Sequence, residues 1–293
     1  MKEKKLLRNI FVTVFLILLL TNIVFLFIAF ELSGSLILES VLAFMFALLE
    51  TTIIVVLVTY YNDIIKILNK DSGQMIRLEN LDHPLLLKLS NQAPGTYNHS
   101  LNVEQLAIKA AQSIGQDTSY LRVGAYFHDI GKLKNPKIYI ENQGHETNID
   151  PQDLEKVARA IIDHVVYGQK LARASHLPDE VIEYIGQHHG SSEIYLLRDK
   201  LEKANLNAQY PGPKPLSKNA AILMLADSIE ARVRGIKTIS DESIDRSIEN
   251  EFAKKIDEEQ LDLSGLSETE LKRIKESFKK TMQAIYHKRK VNK

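Results

Sequence analysis

Seven side chains in this sequence are suited to holding metal ions: His99, His128, Asp129, His164, His188, His189 and Asp227. Each stands in an apolar, helix-patterned neighbourhood, where an ionisable group is costly to bury unless it is paired or bound to a cation. Asp227 shows this most clearly, because it ends the run Ala220-Ala221-Ile222-Leu223-Met224-Leu225-Ala226. Alone, such an acid is more often a hydrogen-bonded core residue than a ligand. Five imidazoles and two carboxylates together, with no thiol in the chain, point instead to a pair of octahedrally inclined divalent ions. Manganese or iron fits such a set better than a tetrahedral structural zinc.

The elements that must position these groups read as helices. Apolar residues recur at three- and four-residue intervals over Asn98 to Ser113, Thr118 to Ile130, Pro151 to Ser175, Pro178 to His189 and Lys218 to Arg234, with a sixth stretch from Glu268 to Lys288. No segment alternates with period two, so the fold class expected is all-α. Each of the first five stretches carries at least one of the seven groups. The pairs His128-Asp129 and His188-His189 would diverge by about 100° in mid-helix. Both fall near helix ends, with Gly131 and Gly190 close behind, where adjacent side chains can converge. Turn signals separate the helices at Pro94-Gly95, Gly115, Gly144, Pro178 and the loop from Tyr210 to Pro215. His83, His145, His176 and His287 lie among polar, loop or helix-end residues and read as surface groups.

The chain of 293 residues has a formal net charge of +0, so it offers no basic field for gripping long nucleic acid. It contains no cysteine, which excludes disulfides and thiolate metal sites. Two stretches, Ile10 to Phe30 and Leu36 to Tyr60, are almost wholly apolar and long enough to cross a bilayer. Lys2, Lys4, Lys5 and Arg8 precede the first, Lys66 and Lys70 follow the second, and the connection Glu31-Leu32-Ser33-Gly34-Ser35 has no Lys or Arg. A retained transmembrane hairpin with both ends cytoplasmic follows from that asymmetry. Glu50, inside the second span, is read as a hydrogen-bonded contact to Thr21 or Asn22, without a catalytic role. The expected organisation is a membrane anchor over 1–62, a helical linker over 63–82 and a soluble cytoplasmic domain over 83–293. The basic end Lys288-Arg289-Lys290 reads as a solvated helix terminus.

Asn98-His99-Ser100, His128-Asp129-Ile130-Gly131-Lys132, Asp163-His164, Gln187-His188-His189-Gly190 and Ala226-Asp227-Ser228, in that order, resemble the HD superfamily of metal-dependent phosphohydrolases. Glu141-Asn142-Gln143, the loop from Tyr210 to Pro215, and Lys275-Glu276-Ser277-Phe278 ahead of Ile285-Tyr286-His287 are similar to the HD domain of bacterial seven-transmembrane cyclic di-AMP phosphodiesterases. The resemblance runs from about His83 to about Lys290. It implies an HD-domain helical bundle with a di-metal centre in which all seven residues are ligands and Asp129 bridges. His99, His128 and Asp227 would surround one ion, and His164, His188 and His189 the other. It also implies in-line attack on phosphorus by a metal-bridging hydroxide, opening cyclic di-AMP to the linear dinucleotide pApA. Lys132 is the candidate for neutralising a phosphate oxygen. The sequence departs from that family in showing two spans where its members carry seven and a large extracellular region.

Two rivals lie within the same class. HD enzymes for cyclic di-GMP carry Gly-Tyr-Pro after the histidine pair, whereas Gly190-Ser191-Ser192-Glu193 follows it here. Relatives that hydrolyse guanosine tetraphosphate place acids after His-Asp, where this chain has Gly131-Lys132. A third reading, a non-catalytic nucleotide receptor, is disfavoured because no ligand is missing. The sequence is compatible with a homo-oligomer.

Overall fold

The computed structural model describes residues 77–143, 154–194 and 209–291, together with 21, 23, 24, 27, 41, 45–51 and 53. Contacts divide the chain into two units, Met1–Gln74 and Met75–Lys293. Both expected spans, most of the linker and His145 fall largely or wholly outside the described residues. Among those residues, no helix is long and apolar enough to cross a membrane. Glu50 lies in helical backbone and is half-buried.

The second unit is all helical among the described residues, with one isolated antiparallel bridge, Glu193 to Gln209. Its helices are α1 (Pro84–Gln92), α2 (Pro94–Ser113), α3 (Ser119–Phe127), α4 (Leu154–Ala174), α5 (Asp179–Gln187), α6 (Lys218–Arg234), α7 (Asp241–Asp257) and α8 (Glu268–Val291). Three short 3₁₀ turns, Ile130–Lys134, Pro136–Ile138 and Ile140–Asn142, link α3 toward α4. Helix α6 is central: Ala220 to Ala226, Ile229 and Val233 are all buried, as expected for a helix apolar on every side. It packs with residues of α2, α3, α7 and α8, while a second cluster joins α1, α3 and α5 around Phe127 and Ile130.

Two helices escaped the periodicity reading. In α7 the buried Ile244, Ile248 and Phe252 form a stripe one residue wide in a charged sequence, started by a capping box at Ser240 and Ser243. In α1, Pro84 occupies the first turn and His83 supplies the cap, its Nδ1 accepting from the Leu85 amide at 3.3 Å. His83 is therefore not a surface group: it is half-buried and meets Phe127 edge-on, with centroids 5.0 Å apart. His176 and His287 are exposed as expected.

Pro94-Gly95 is not a turn but the first turn of α2, where proline loses no hydrogen bond. A Cβ at Gly95 would lie 1.8 Å from the Glu141 carbonyl oxygen, so the last 3₁₀ turn rests directly on this helix start. Asn142 completes the contact, its Oδ1 accepting from the Thr96 amide at 3.1 Å and its Nδ2 donating to the Thr96 hydroxyl at 2.9 Å. A residue distant in sequence thus does the work that Ala93 cannot do as N-cap.

Gly131 makes the other close approach, since a Cβ there would stand 1.8 Å from the His164 carbonyl oxygen and 2.7 Å from the Gly168 amide nitrogen. Those neighbours are backbone and cannot swing away. Gly131→Ala is expected to destabilise the domain by about 1–3 kcal/mol or more, as overpacked cores do, measured as a shift in the urea unfolding midpoint. An unshifted midpoint would mean that α4 and the turn can separate freely.

Candidate metal centre

All seven residues singled out in the sequence come to one place. His99 projects from α2; His128 and Asp129 stand where α3 gives way to the first 3₁₀ turn; His164 comes from α4; His188 and His189 follow the end of α5; and Asp227 comes from α6. Their potential ligand atoms fall into two groups, Asp129 with His164, His188 and His189, and His99 with His128 and Asp227, each within 4.8 Å. All but His189 are buried.

Three of the histidines are oriented by their own helices. The Nδ1 atoms of His128 and His188 lie 2.8 Å from the carbonyls of Ala125 and Ile185, and that of His164 contacts the Ile161 carbonyl. A carbonyl only accepts, so each Nδ1 carries a proton; Nε2 of His164 and His188 presents a lone pair to the interior, and Nε2 of His128 would do so once a cation replaces the proton that Asp129 and Asp227 favour there. The Nε2 atoms of His164 and His188 then face one another at 3.2 Å. His99 is fixed differently: its Nδ1 lies 2.5 Å from Glu230 Oε2, which turns its Nε2 to Asp227 Oδ1 at 2.9 Å.

Asp129 stands between the groups. Its Oδ1 lies 3.4 Å from His164 Nε2 and 3.8 Å from His188 Nε2, while Oδ2 lies 3.4 Å from His128 Nε2 and 3.7 Å from His99 Nε2. Both carboxylate oxygens and His128 Nε2 are buried without a hydrogen-bond partner. Lys132 Nζ approaches Oδ2 at 2.7 Å as an ion contact outside hydrogen-bond geometry. Buried acceptors aimed at acceptors are repulsive, and an uncompensated buried carboxylate costs several kcal/mol. Divalent cations would resolve every one of these oppositions. Around an ion with bonds of about 2.1 Å, octahedral ligands stand about 3.0–4.2 Å apart, the range these contacts occupy.

The electrostatics agree. Burial opposes charge on His128, yet Asp129 and Asp227 override it and push the imidazole up to about 10. Burial and the neighbouring His128 and His164 carry His188 down to about 3. Burial works against ionised Asp129 and Asp227 as well, but Lys132 and His128 for the first, and His128 and His99 for the second, hold both well below the usual carboxylate range. The centre is thus two carboxylates asking for positive charge among imidazoles that resist protons on one side and take them on the other.

The outer contacts were mostly invisible to sequence reasoning. Glu230 is one turn beyond Asp227, and that i, i+3 spacing of acids on an apolar helix was the available signal. Its Oε1 accepts from Asn102 Nδ2 at 2.9 Å, and Arg234 lies 3.6 Å from Oε2. Lys132 was expected to reach for phosphate. It is largely buried, paired at 2.7 Å with both Asp129 Oδ2 and Glu141 Oε1, with the Tyr139 ring 4.9 Å from its ammonium. Burial disfavours the Glu141 carboxylate, but Lys132 prevails and holds it down at about 2. The turn after His189 is anchored from the far side: Lys255 Nζ donates to Ser192 Oγ at 2.8 Å and Gln260 Oε1 accepts from the Ser191 amide at 3.0 Å.

A helical domain whose His-Asp pair at a helix end gathers histidines from the surrounding helices is an HD domain, and the HD-domain family matches residues 96–232. The chain belongs to that family. It is 35% identical over 225 residues to the cyclic-di-AMP phosphodiesterase PgpH of Bacillus subtilis, an alignment covering 74% of this chain and 31% of the relative. The chain therefore spans about a third of that protein's length. The crystal structure of the Listeria monocytogenes phosphodiesterase PgpH HD domain superposes with a TM-score of 0.67 at 32% identity, covering 70% of this chain and all of the other. The same domain solved in complex with cyclic-di-AMP gives a TM-score of 0.66.

Carboxylate partners of ligand histidines typically govern affinity by about 10–100-fold. Glu230→Gln is expected to weaken manganese binding by about that factor with helical content unchanged, read by calorimetric titration. Unchanged affinity would mean that packing alone orients His99.

Proposed function

We propose that this chain is a metal-dependent phosphodiesterase that hydrolyses cyclic di-AMP to pApA, using two divalent ions, manganese or iron, held by the seven residues with Asp129 as the bridge. The observation that carries the reading is Asp129 itself: one buried carboxylate whose two oxygens face two separate groups of ligand atoms and lack hydrogen-bond partners. Manganese or iron follows from a donor set of imidazoles and carboxylates without sulfur. Two such ions, when bound, supply a water acidified to near-neutral pH and positive charge for the attacking and leaving oxygens of an in-line displacement.

The chain's own residues do the rest. Asp129 holds the two halves of the centre at a fixed separation. The carbonyls of Ala125, Ile161 and Ile185 keep protons on Nδ1, so that Nε2 of His128, His164 and His188 stays available. Glu230 does the same for His99. Lys132, steadied by Glu141, carries an ammonium beside the bridging carboxylate and can give a charge-assisted hydrogen bond to a phosphate oxygen. The substrate is inferred from the named activity of the PgpH relatives and from the Gly190-Ser191-Ser192-Glu193 segment, which lacks the Gly-Tyr-Pro of cyclic di-GMP enzymes.

The reading keeps the enzyme at a membrane, with the catalytic unit cytoplasmic. Its support is the apolar character of Ile10 to Phe30 and Leu36 to Tyr60 and the lysines outside them. On fractionation the full chain is expected to stay with membranes through alkaline carbonate washing. Release into the wash would contradict the anchor.

For the chemistry, the His128→Ala, Asp129→Ala double variant should lose cyclic di-AMP turnover to background while keeping its helical circular dichroism, and chelation of the parent should do the same reversibly. Lys132→Met should lower kcat by about 10²–10³-fold, the usual effect of losing one donor to a developing charge. Faster turnover of cyclic di-GMP or guanosine tetraphosphate than of cyclic di-AMP would overturn the substrate. Undiminished turnover by the folded double variant would overturn the site.

A further inference from the structure

Four of the five ligand histidines have a ring nitrogen committed to a fixed protein acceptor. His128, His164 and His188 use backbone carbonyls of their own helices, and His99 uses Glu230. Among the described residues His189 has no such anchor. Its Nδ1 reaches only Asp227 Oδ2, at 3.5 Å, an atom belonging to the opposite group of ligands. It also stands in a turn beyond α5, and its side chain is 22% exposed, where a ring has the most freedom to rotate.

Beside the rings of its fellow candidates His188 and His164, an aromatic face restrains it. Tyr210 lies nearly parallel to the His189 ring, with centroids 4.2 Å apart and planes at 26°. Tyr210 is itself rigidly seated. It is buried in a small cluster with Leu154, Ala158, Val165 and Ile194, and its backbone amide donates to the Ser192 carbonyl at 3.0 Å. The same ring meets His164 edge-on with centroids 6.0 Å apart. The cluster that seats it is built partly on α4, the helix that carries His164, so the face is fixed relative to another member of His189's own ligand group.

We propose that Tyr210 is a positioning residue that fixes the plane of His189 by stacking and thereby sets the affinity of the ion held by Asp129, His164, His188 and His189. The inference rests on the metal reading above. The other rings against His189, His188 at 4.0 Å and 42° and His164 at 5.1 Å and 81°, are themselves candidate ligands, so Tyr210 is the stacked face that comes from outside the centre. Without the face, the ring can turn and hydrogen-bond Asp227, which removes a donor from one ion and perturbs a ligand of the other.

The test compares Tyr210→Phe, which keeps the ring, with Tyr210→Met, which keeps comparable bulk without it; Tyr210→Leu serves if the methionine variant does not fold. Full-length protein in detergent is stripped of metal and titrated calorimetrically with manganese, and cobalt(II) spectra are recorded in parallel. The phenylalanine variant should match the parent in both ions. The methionine variant should hold one ion normally and the other about 10–100-fold more weakly, the usual effect of losing a ligand's outer support, with a changed cobalt spectrum. Two ions bound at parental affinity would overturn the proposal. So would an equal loss at both ions, which is what general loosening of the core would give. A parent chain that binds no manganese would instead sink the metal reading itself and carry this inference with it, whereas normal two-ion binding in the methionine variant would leave that reading standing.

Discussion

Everything in the second unit is arranged around the charge on Asp129. A carboxylate with 1% exposure and no hydrogen bond to either oxygen is tolerable only if cations approach both of its faces. Lys132 answers part of that demand from one side. The remaining faces look toward imidazole nitrogens of His99, His128, His164 and His188, carried on or just beyond α2, α3, α4 and α5. The helices converge because their apolar stripes make one core, but the register at which they stop is the one that surrounds this carboxylate.

The contest between packing and polarity is sharpest on α6. Seven consecutive buried residues, Ala220 to Ala226, anchor the helix in the core, and the next position is the candidate ligand Asp227. One turn on, Glu230 supports His99, and Arg234 closes the row at the surface. Burial alone would disfavour ionised Glu230, but His99, Arg234 and Asn102 hold it charged. Core and site are thus consecutive stretches of one helix, and disturbance of either reaches the other without an intermediary.

Much of this was legible in the sequence, and the parts that were not share a cause. The seven clustered residues could be picked out because a charged or titratable group in an apolar helical stretch contradicts its surroundings. Their helices could be picked out because broad apolar faces repeat, and Lys218 to Arg234 was bounded to the residue. Helix α7 was missed because its apolar stripe is only one residue wide and the rest of its buried face is charged, Glu251 and Lys255. Pro94-Gly95 was misjudged because nothing local shows that a 3₁₀ turn would press on the helix start. Glu230, Glu141 and Tyr210 matter through partners far along the chain. The pairing of Lys132 with Glu141 could not be read from the sequence, which does not show that the two lie side by side. Periodicity reports the faces of single helices; it is silent on pairs formed between them.

The contact of His128, His164 and His188 with the carbonyl three residues earlier has an evolutionary corollary. Their tautomer and aim are set inside one turn of their own helix, so these three rings rely less than His99 does on a partner from a distant element. A core of this design can drift to 32% identity with the Listeria domain and still keep closely similar backbone geometry.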